Sequence, residues 1–271
     1  MLSVLIAIYR DTQTSDLRLC LQSMAEQTVP ANEIVVVADG PITPDLEQVL
    51  ESMAPVLPIR VVRLDTNRGL GAALHIGVEA CSFAIVARMD SDDIAYPRRF
   101  ERQLAAFDAA PELDILGSFA SEIDSLGRPG PLRRMPTSHA DIVSCLWANP
   151  IIHPAVMFRR DRIIYAGSYD PSLRRRQDYE LWFRCAQAGL QFANLAEPLL
   201  YYRFTESTHK RQRKGDLWKQ ALIGMAGSRR LGLPFAAQIG CFVPFLRSLL
   251  PLTVQHSVYR WAGKFDPRKR Y

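Results

Sequence analysis

The chain is poor in cysteine, with five in 271 residues, and Cys20, Cys81, Cys145, Cys185 and Cys241 are scattered without a C-x-x-C pair. An odd, dispersed set argues against both a disulfide framework and a cysteine-based zinc site, and it suits a reducing cytoplasm. No uninterrupted apolar run reaches the ~20 residues that a membrane-spanning helix needs. The opening segment, MLSVLIAIYR, is far too short to span, and it lacks the basic n-region and small-residue cleavage site of a secretory signal. It reads as a buried first strand of a protein that is not secreted. Zinc-finger spacing, an RNP-like aromatic motif and a basic zipper are also missing, so the formal charge of +5 does not point to nucleic acid. Internal repeats and low-complexity segments are absent.

What is present is ordinary for a globular protein: 48% apolar and 23% charged residues, in a chain long enough for one large α/β domain or a domain with an appendage. The excess basic residues are concentrated, at Arg159-Arg160, Arg174-Arg175-Arg176, His209 to Lys214 and Arg268-Lys269-Arg270. Anionic phospholipid and a diphosphate-bearing substrate account for them.

Residues 1 to about 120 alternate short β-branched runs with helical segments, the signature of a mostly parallel sheet covered on both faces. Strands are predicted at Ser3 to Ile8, Ile34 to Val37, Ile59 to Leu64, Phe83 to Ala87 and Asp114 to Ser118. Helices are predicted around Leu17 to Met24, capped by Thr14 or Ser15, then at Pro44 to Met53, Leu70 to Ala80 and Arg98 to Ala109. Gly127 to Pro131 reads as a turn or loop. Ligands of open α/β sheets bind beyond the carboxyl ends of the strands, and Tyr9, Asp39, Asp90, Asp92 and Asp93 fall at such ends.

Asp90-Ser91-Asp92-Asp93 is the most telling of these groups. Three acids delivered by one strand suit a hard cation bridging to phosphate oxygens, because Mg²⁺ and Mn²⁺ prefer oxygen ligands. A solvated turn, or a cap for a helix starting near Pro97, is the plainer alternative.

The ordered set of the Ser3-to-Tyr9 strand, Val37-Ala38-Asp39-Gly40, Asn67 to Gly77, Asp90-Ser91-Asp92-Asp93 and Gln177-Asp178-Tyr179-Glu180-Leu181-Trp182 resembles the family 2 glycosyltransferases of the GT-A fold. It is most similar to bacterial members that build exopolysaccharide or O-antigen units, the amylovoran type among them, over roughly residues 2 to 205. The resemblance implies that Tyr9 and Asp39 hold the nucleotide base. The Asn67-to-Gly77 segment reads as a diphosphate site in which small residues allow close backbone approach at Asn67 and Gly69, Arg68 neutralises charge and the following helix presents free N–H groups; a helix packed tightly on the sheet through Ala72, Ala73 and Gly77 is the alternative. The resemblance also implies that Asp90 contacts the ribose or supports the metal, that Asp92 ligates Mn²⁺ or Mg²⁺, and that Asp93 stands behind them. Asp178 is then the general base of an inverting transfer, in an E-D-x-x-L-W signature with Gln177 in place of the first Glu. The same signature implies that Trp182 contacts the substrate; the alternative for this segment is an amphipathic helix with Trp182 in the core and Asp178 as a cap. His153 either lines the acceptor pocket or is a satisfied, partly buried histidine. Thr205 stands near where the family often has a histidine, with His209 as a substitute metal ligand.

The expected organisation is a catalytic unit at residues 1–205, with nucleotide-sugar binding in 1–120 and the acceptor part in 121–205, followed by an amphipathic helical segment at 206–271. Leu231 to Leu246 carries no charge, but prolines interrupt it, so it reads as an interfacial anchor rather than a span. Packing on the catalytic domain or on another subunit is the alternative. The expected activity is transfer of a hexose, galactose or glucose, from a UDP-linked donor to a lipid-linked saccharide at the inner face of the plasma membrane. The rivals are a sugar-nucleotide pyrophosphorylase, whose Gly-rich first loop is missing here, and a non-catalytic membrane-surface scaffold.

Overall fold

The computed structural model describes residues 1–204, 214–250 and 268. Its central sheet begins with β1 (Leu2–Ile8), β2 (Glu33–Ala38), β3 (Ile59–Arg63) and β4 (Ile85–Asp90), all parallel. It continues through β5 (Ile94–Ala95), β6 (Leu113–Ile123), β7 (Pro129–Arg133), β8 (Met157–Arg159) and β9 (Gln191–Arg203). The strand order is β3-β2-β1-β4-β8-β6-β9-β5, with β7 paired to β6. The chain leaves β1 toward β2 and β3 on one side and returns to β4 on the other, which opens a crevice beyond the carboxyl ends of β1 and β4.

The buried strands alternate their side chains between two cores, as a two-residue repeat requires. Val4, Ile6, Ile34 and Val36 pack with Leu17 and Leu21 of α1 (Thr14–Ala25) and with Leu46 and Val49 of α2 (Pro44–Met53). Leu5, Val35 and Val37 face the opposite way, against Ala73, Leu74 and Val78 of α3 (Leu70–Ala80). Helix α4 (Arg99–Ala109) lies on the first face. The short α5 (His139–Ser144) and α6 (Arg160–Tyr165), with α7 (Gln177–Gln187), serve the second through Ile142, Ile163, Leu181 and Trp182.

Helices α2 and α3 run over the expected residues, whereas several other expectations are corrected. Strand β4 continues to Asp90, because the parallel register carries on from Leu2 opposite Ile85 to Ala7 opposite Asp90. Strand β6 extends to Ile123 by pairing with β9 along that whole length. Pro129 to Arg133 is an edge strand, and the turn before it is built on Asp124, which accepts from the backbone N–H groups of Leu126 and Arg128. Helix α1 starts after an extended Gln13 without a side-chain cap, so neither Thr14 nor Ser15 caps it. Asp92 and Asp93 cap nothing, since α4 begins after Arg98.

Beyond the sheet, α8 (Lys214–Arg230), α9 (Phe235–Gly240) and α10 (Val243–Ser248) follow. Gly227 of α8 sits against the Phe183 ring, while Gly240 meets the ring of Trp147. The carboxyl-terminal helices therefore do pack on the catalytic part, yet Trp218, Phe235, Ile239 and Leu246 remain exposed. Among the described residues no helix is long and apolar enough to cross a membrane. Thr205, His209, Lys210, Arg211, Arg213, Tyr259, Trp261, Lys269 and Arg270 lie outside the described residues.

Candidate active site

The acid cluster forms where β4 ends. Carboxylate oxygens of Asp90, Asp92 and Asp93 lie within 4.8 Å of one another. Asp93 is buried; one of its oxygens accepts from the backbone N–H of Arg203 at 2.7 Å and the other, Oδ2, has no partner. Asp92 opens to a cleft on one side while protein crowds the rest. Its carboxyl is pushed up to about 6, by desolvation first and by the charge of Asp90 second. Desolvation, then Asp90 and Asp92, also raise Asp93. An all-oxygen donor set, an orphaned buried carboxylate oxygen and mutual repulsion together fit a divalent cation such as Mg²⁺ or Mn²⁺.

Three arginines hold this turn, and none was singled out from the sequence. Arg88, two residues before Asp90 on β4 and 1% exposed, pairs with the Asp90 carboxylate through Nη2. Its own backbone carbonyl accepts from Nη2 of Arg99 at 2.8 Å. Arg99 is fully buried on α4, and desolvation lowers its guanidinium to about 10. Arg203, at the end of β9, donates Nε to the carbonyl of Asp92 at 2.8 Å and Nη1 to the carbonyl of Asp124 at 2.9 Å, and its Nη2 stands 3.3 Å from Asp16. The i, i+2 spacing of Arg88 and Asp90 was visible as one strand face; the contacts of Arg203 depend on the sheet.

The cleft has a volume of about 770 Å³. Tyr9, Asp39, Asn67 and Gly69 line it beside Asp90 and Asp92. Asp39 latches the loop before α3: its two oxygens accept from the backbone N–H groups of Arg68 and Gly69 at 2.7 and 2.8 Å. Gly69 has φ +93°, a conformation that favours glycine. Arg68 serves the latch through its backbone, and its side chain is not part of the cleft wall.

The backbone N–H of Gly71 is also engaged, by the carbonyl of Leu173 at 3.2 Å, and a Cβ at Gly71 would overlap the carbonyl oxygens of Leu173 and Asp170. The α3 N-terminus is thus partly taken: Asp39 holds the donors of Arg68 and Gly69 just before the helix and Leu173 that of Gly71, while among the described residues the N–H groups of Leu70 and Ala72 have no partner. Arg174 completes the junction, giving Nη1 and Nη2 to the side-chain and main-chain oxygens of Asn67, each at 3.0 Å.

Asp178 lies in the first turn of α7, after Arg176 in a left-handed conformation (φ 64°). Its Oδ2 accepts from Nδ2 of Asn149 at 3.4 Å, and Asn149 is itself left-handed (φ 52°) with a buried, unpartnered Oδ1. Asp178 is not a helix cap, and it is not on the wall of the cleft that Asp90 and Asp92 line. His153 and Trp182, expected at the acceptor, lie in the core and not on the cleft wall: Trp182 is 0% exposed, and the two rings meet edge-on at 6.0 Å. Nε2 of His153 shares a 2.8 Å hydrogen bond with the Tyr169 hydroxyl. Burial, reinforced by Arg88, holds His153 well below the usual histidine range, so it stays neutral. Burial first, opposed by the charge of Arg88, raises the Tyr169 hydroxyl above its usual range.

Residues 3–183 match the model of the family described as glycosyl transferase family 2. The chain is 42% identical over 204 residues to the amylovoran biosynthesis glycosyltransferase AmsE of Erwinia amylovora, covering 75% of this chain and 76% of that protein. It is 33% identical over 211 residues to the UDP-Gal:alpha-D-GlcNAc-diphosphoundecaprenol beta-1,3-galactosyltransferase of Escherichia coli, covering 78% and 76% respectively. The crystal structure of S. aureus TarS 1-349 in complex with UDP superimposes with a TM-score of 0.69 at 19% identity, covering 91% of this chain and 70% of that one. With the crevice at the carboxyl ends of β1 and β4 and a family match over most of its sheet, this chain belongs to glycosyl transferase family 2 and has the GT-A fold.

Proposed function

We propose that the chain is an inverting, metal-dependent hexosyltransferase that moves galactose or glucose from a UDP-sugar to a lipid-linked saccharide in exopolysaccharide or O-antigen assembly. The observation that carries this reading is the set of three carboxylates within 4.8 Å, two of which, Asp90 and Asp92, line a cleft shared with Tyr9 and Asp39. Asp90 and Asp92 would hold Mn²⁺ or Mg²⁺, with Asp93 behind them. The ion, when bound, stabilises charge on the departing diphosphate. Tyr9 stacks on the base, Asp39 accepts from it while keeping Asn67 to Gly69 in place, and Asp90 also faces the ribose.

Asp178 takes the proton of the acceptor hydroxyl as its oxygen bonds to the anomeric carbon. The bond from that carbon to the diphosphate oxygen breaks on the opposite face, so configuration inverts. General-base help of this kind is worth ~10²–10⁴ in rate. Asn149 orients the carboxylate. In this reading residues 1–205 are the catalytic unit, and the exposed Trp218, Phe235, Ile239 and Leu246, with Arg229, Arg230 and Arg247 nearby in sequence, rest on the inner leaflet as an interfacial surface.

The test is transfer from UDP-galactose and UDP-glucose to a synthetic diphospholipid-linked saccharide. Asp178→Asn is expected to lose at least a hundredfold in kcat with UDP binding kept. Wild-type turnover in that variant would refute the assignment of the base, and no transfer from any nucleotide sugar would favour the scaffold reading.

A further inference from the structure

The cleft contains a second charged surface. Arg174, Arg175, Arg176 and Lys219 line the same space as the acids. Two of these cations are engaged: Arg174 gives both terminal nitrogens to Asn67, and Arg175 faces Asp216 at 3.6 Å. Among the described residues the side chains of Arg176 and Lys219 have no hydrogen-bond or ion-pair partner, although the backbone carbonyl of Arg176 accepts from Glu180 N–H. We propose that Arg176 and Lys219 form an anion subsite for a phosphate group, separate from the acid cluster.

Several independent features support this assignment. Arg176 occupies a left-handed backbone conformation (φ 64°), which glycine adopts at no steric cost. It is the N-cap of an 11-residue helix with no side-chain cap, so the positive end of α7 adds to its charge. Lys219 arrives from α8, where Asp216, Lys219 and Ile223 lie at helical spacing and all line the cleft. Helix α8 falls outside residues 3–183, so half of the subsite is built by a part of the chain that the family model does not match.

Asp39 and Leu173 take the donors of Arg68, Gly69 and Gly71, so the α3 N-terminus keeps only the Leu70 and Ala72 N–H groups, and Arg176 and Lys219 add the charge that an anion not held through the acid cluster would meet in this cleft. A guanidinium fork with an ammonium point charge matches phosphate chemistry.

The proposal deepens the transfer reading and rests on it only for the source of the phosphate, which is either the donor diphosphate or the diphosphate of a lipid-linked acceptor. The test is metal-free calorimetric binding of inorganic pyrophosphate to the full chain. Arg176→Gln and Lys219→Gln are each expected to weaken it about tenfold, the loss of one charge-assisted contact. Unchanged affinity in both variants, or no binding by the wild type, overturns the subsite.

Arg176→Gly separates function from folding, because it removes the cation and relieves the left-handed strain. Its Tm should not fall while pyrophosphate affinity does; a lower Tm with unchanged affinity makes Arg176 structural and overturns the proposal. The source follows from two further readings. A parallel loss of UDP–Mn²⁺ affinity assigns the phosphate to the donor, and a raised KM for a diphospholipid acceptor with unchanged UDP affinity assigns it to the acceptor. Both readings support the subsite. Failure of UDP–Mn²⁺ binding in the wild type, with pyrophosphate binding intact, would count against the transfer reading alone.

Discussion

Replacing Asp39 by Asn tests whether this residue is only a ligand contact or also the latch of the loop before α3. Its oxygens accept from Arg68 N at 2.7 Å and from Gly69 N at 2.8 Å. Asparagine keeps one acceptor and turns its NH₂ toward the other donor, so one charge-assisted bond is lost and a nearly buried N–H is left facing a second donor. A hydrogen bond to a charged group contributes about 1.5–3 kcal/mol, and an unsatisfied buried donor costs about 1–3 kcal/mol. The two effects overlap, so a loss of about 2–4 kcal/mol is expected.

For a chain of this size that is roughly 4–16 °C in Tm. Urea unfolding followed by tryptophan fluorescence would read it as a lower midpoint with an unchanged m-value. UDP affinity should fall too, since the freed loop carries Asn67 and Gly69 on the cleft wall. Wild-type stability with lost UDP binding would refute the latch and leave Asp39 as a ligand contact alone.

Gly71→Ala places a methyl group against two backbone carbonyls, and overpacking of this kind costs about 1–3 kcal/mol; a lowered Tm together with reduced kcat is expected, and an unchanged Tm would contradict the tight junction between α3 and the 170–174 loop. Asn149→Ala removes the amide that holds Oδ2 of Asp178, so kcat should fall severalfold with donor KM unchanged. Wild-type kcat in that variant would remove Asn149 as an orienting group. Asp92, raised in the fold from 3.8 to about 6, stabilises the protein while protonated; this contribution is complete below 3.8 and is lost as pH rises through about 6. Mn²⁺ should therefore raise Tm at pH 7, do so much less at pH 4.5, and have no such effect in Asp92→Ala; an equal Mn²⁺ shift in that variant would place the ion elsewhere.

The parallel half of the fold was legible because its strands are short apolar runs separated by helices with clear periodicity. Helices α2 and α3 fall on Pro44 to Met53 and Leu70 to Ala80 as their apolar spacing requires. The ends of β4 and β6 are set by pairing with strands distant in sequence, such as β9 along β6, and local composition carries no record of that partner. Strand β7 was hidden differently: it forms a local hairpin with β6 across a Gly- and Pro-rich stretch that reads as a turn.

The site divides in the same way. Residues at strand ends, Tyr9, Asp39, Asp90 and Asp92, were identifiable from position alone and meet on one cleft. Residues whose role depends on folding back were not. Arg203 reaches the acid turn only through β9, Arg174 reaches Asn67 across 107 positions, and Lys219 joins the wall from α8. Trp182 and His153 illustrate the converse: a motif position beside Asp178 and an Asn-Pro segment looked like acceptor contacts, and tertiary packing put both rings in the core.

The measurement closest to the central claim is calorimetric titration of UDP into the full chain with and without Mn²⁺, repeated on Asp92→Ala. The account predicts binding that requires the metal and disappears in the variant. Metal-independent binding of equal strength in both proteins would contradict a donor site built on Asp90, Asp92 and Asp93.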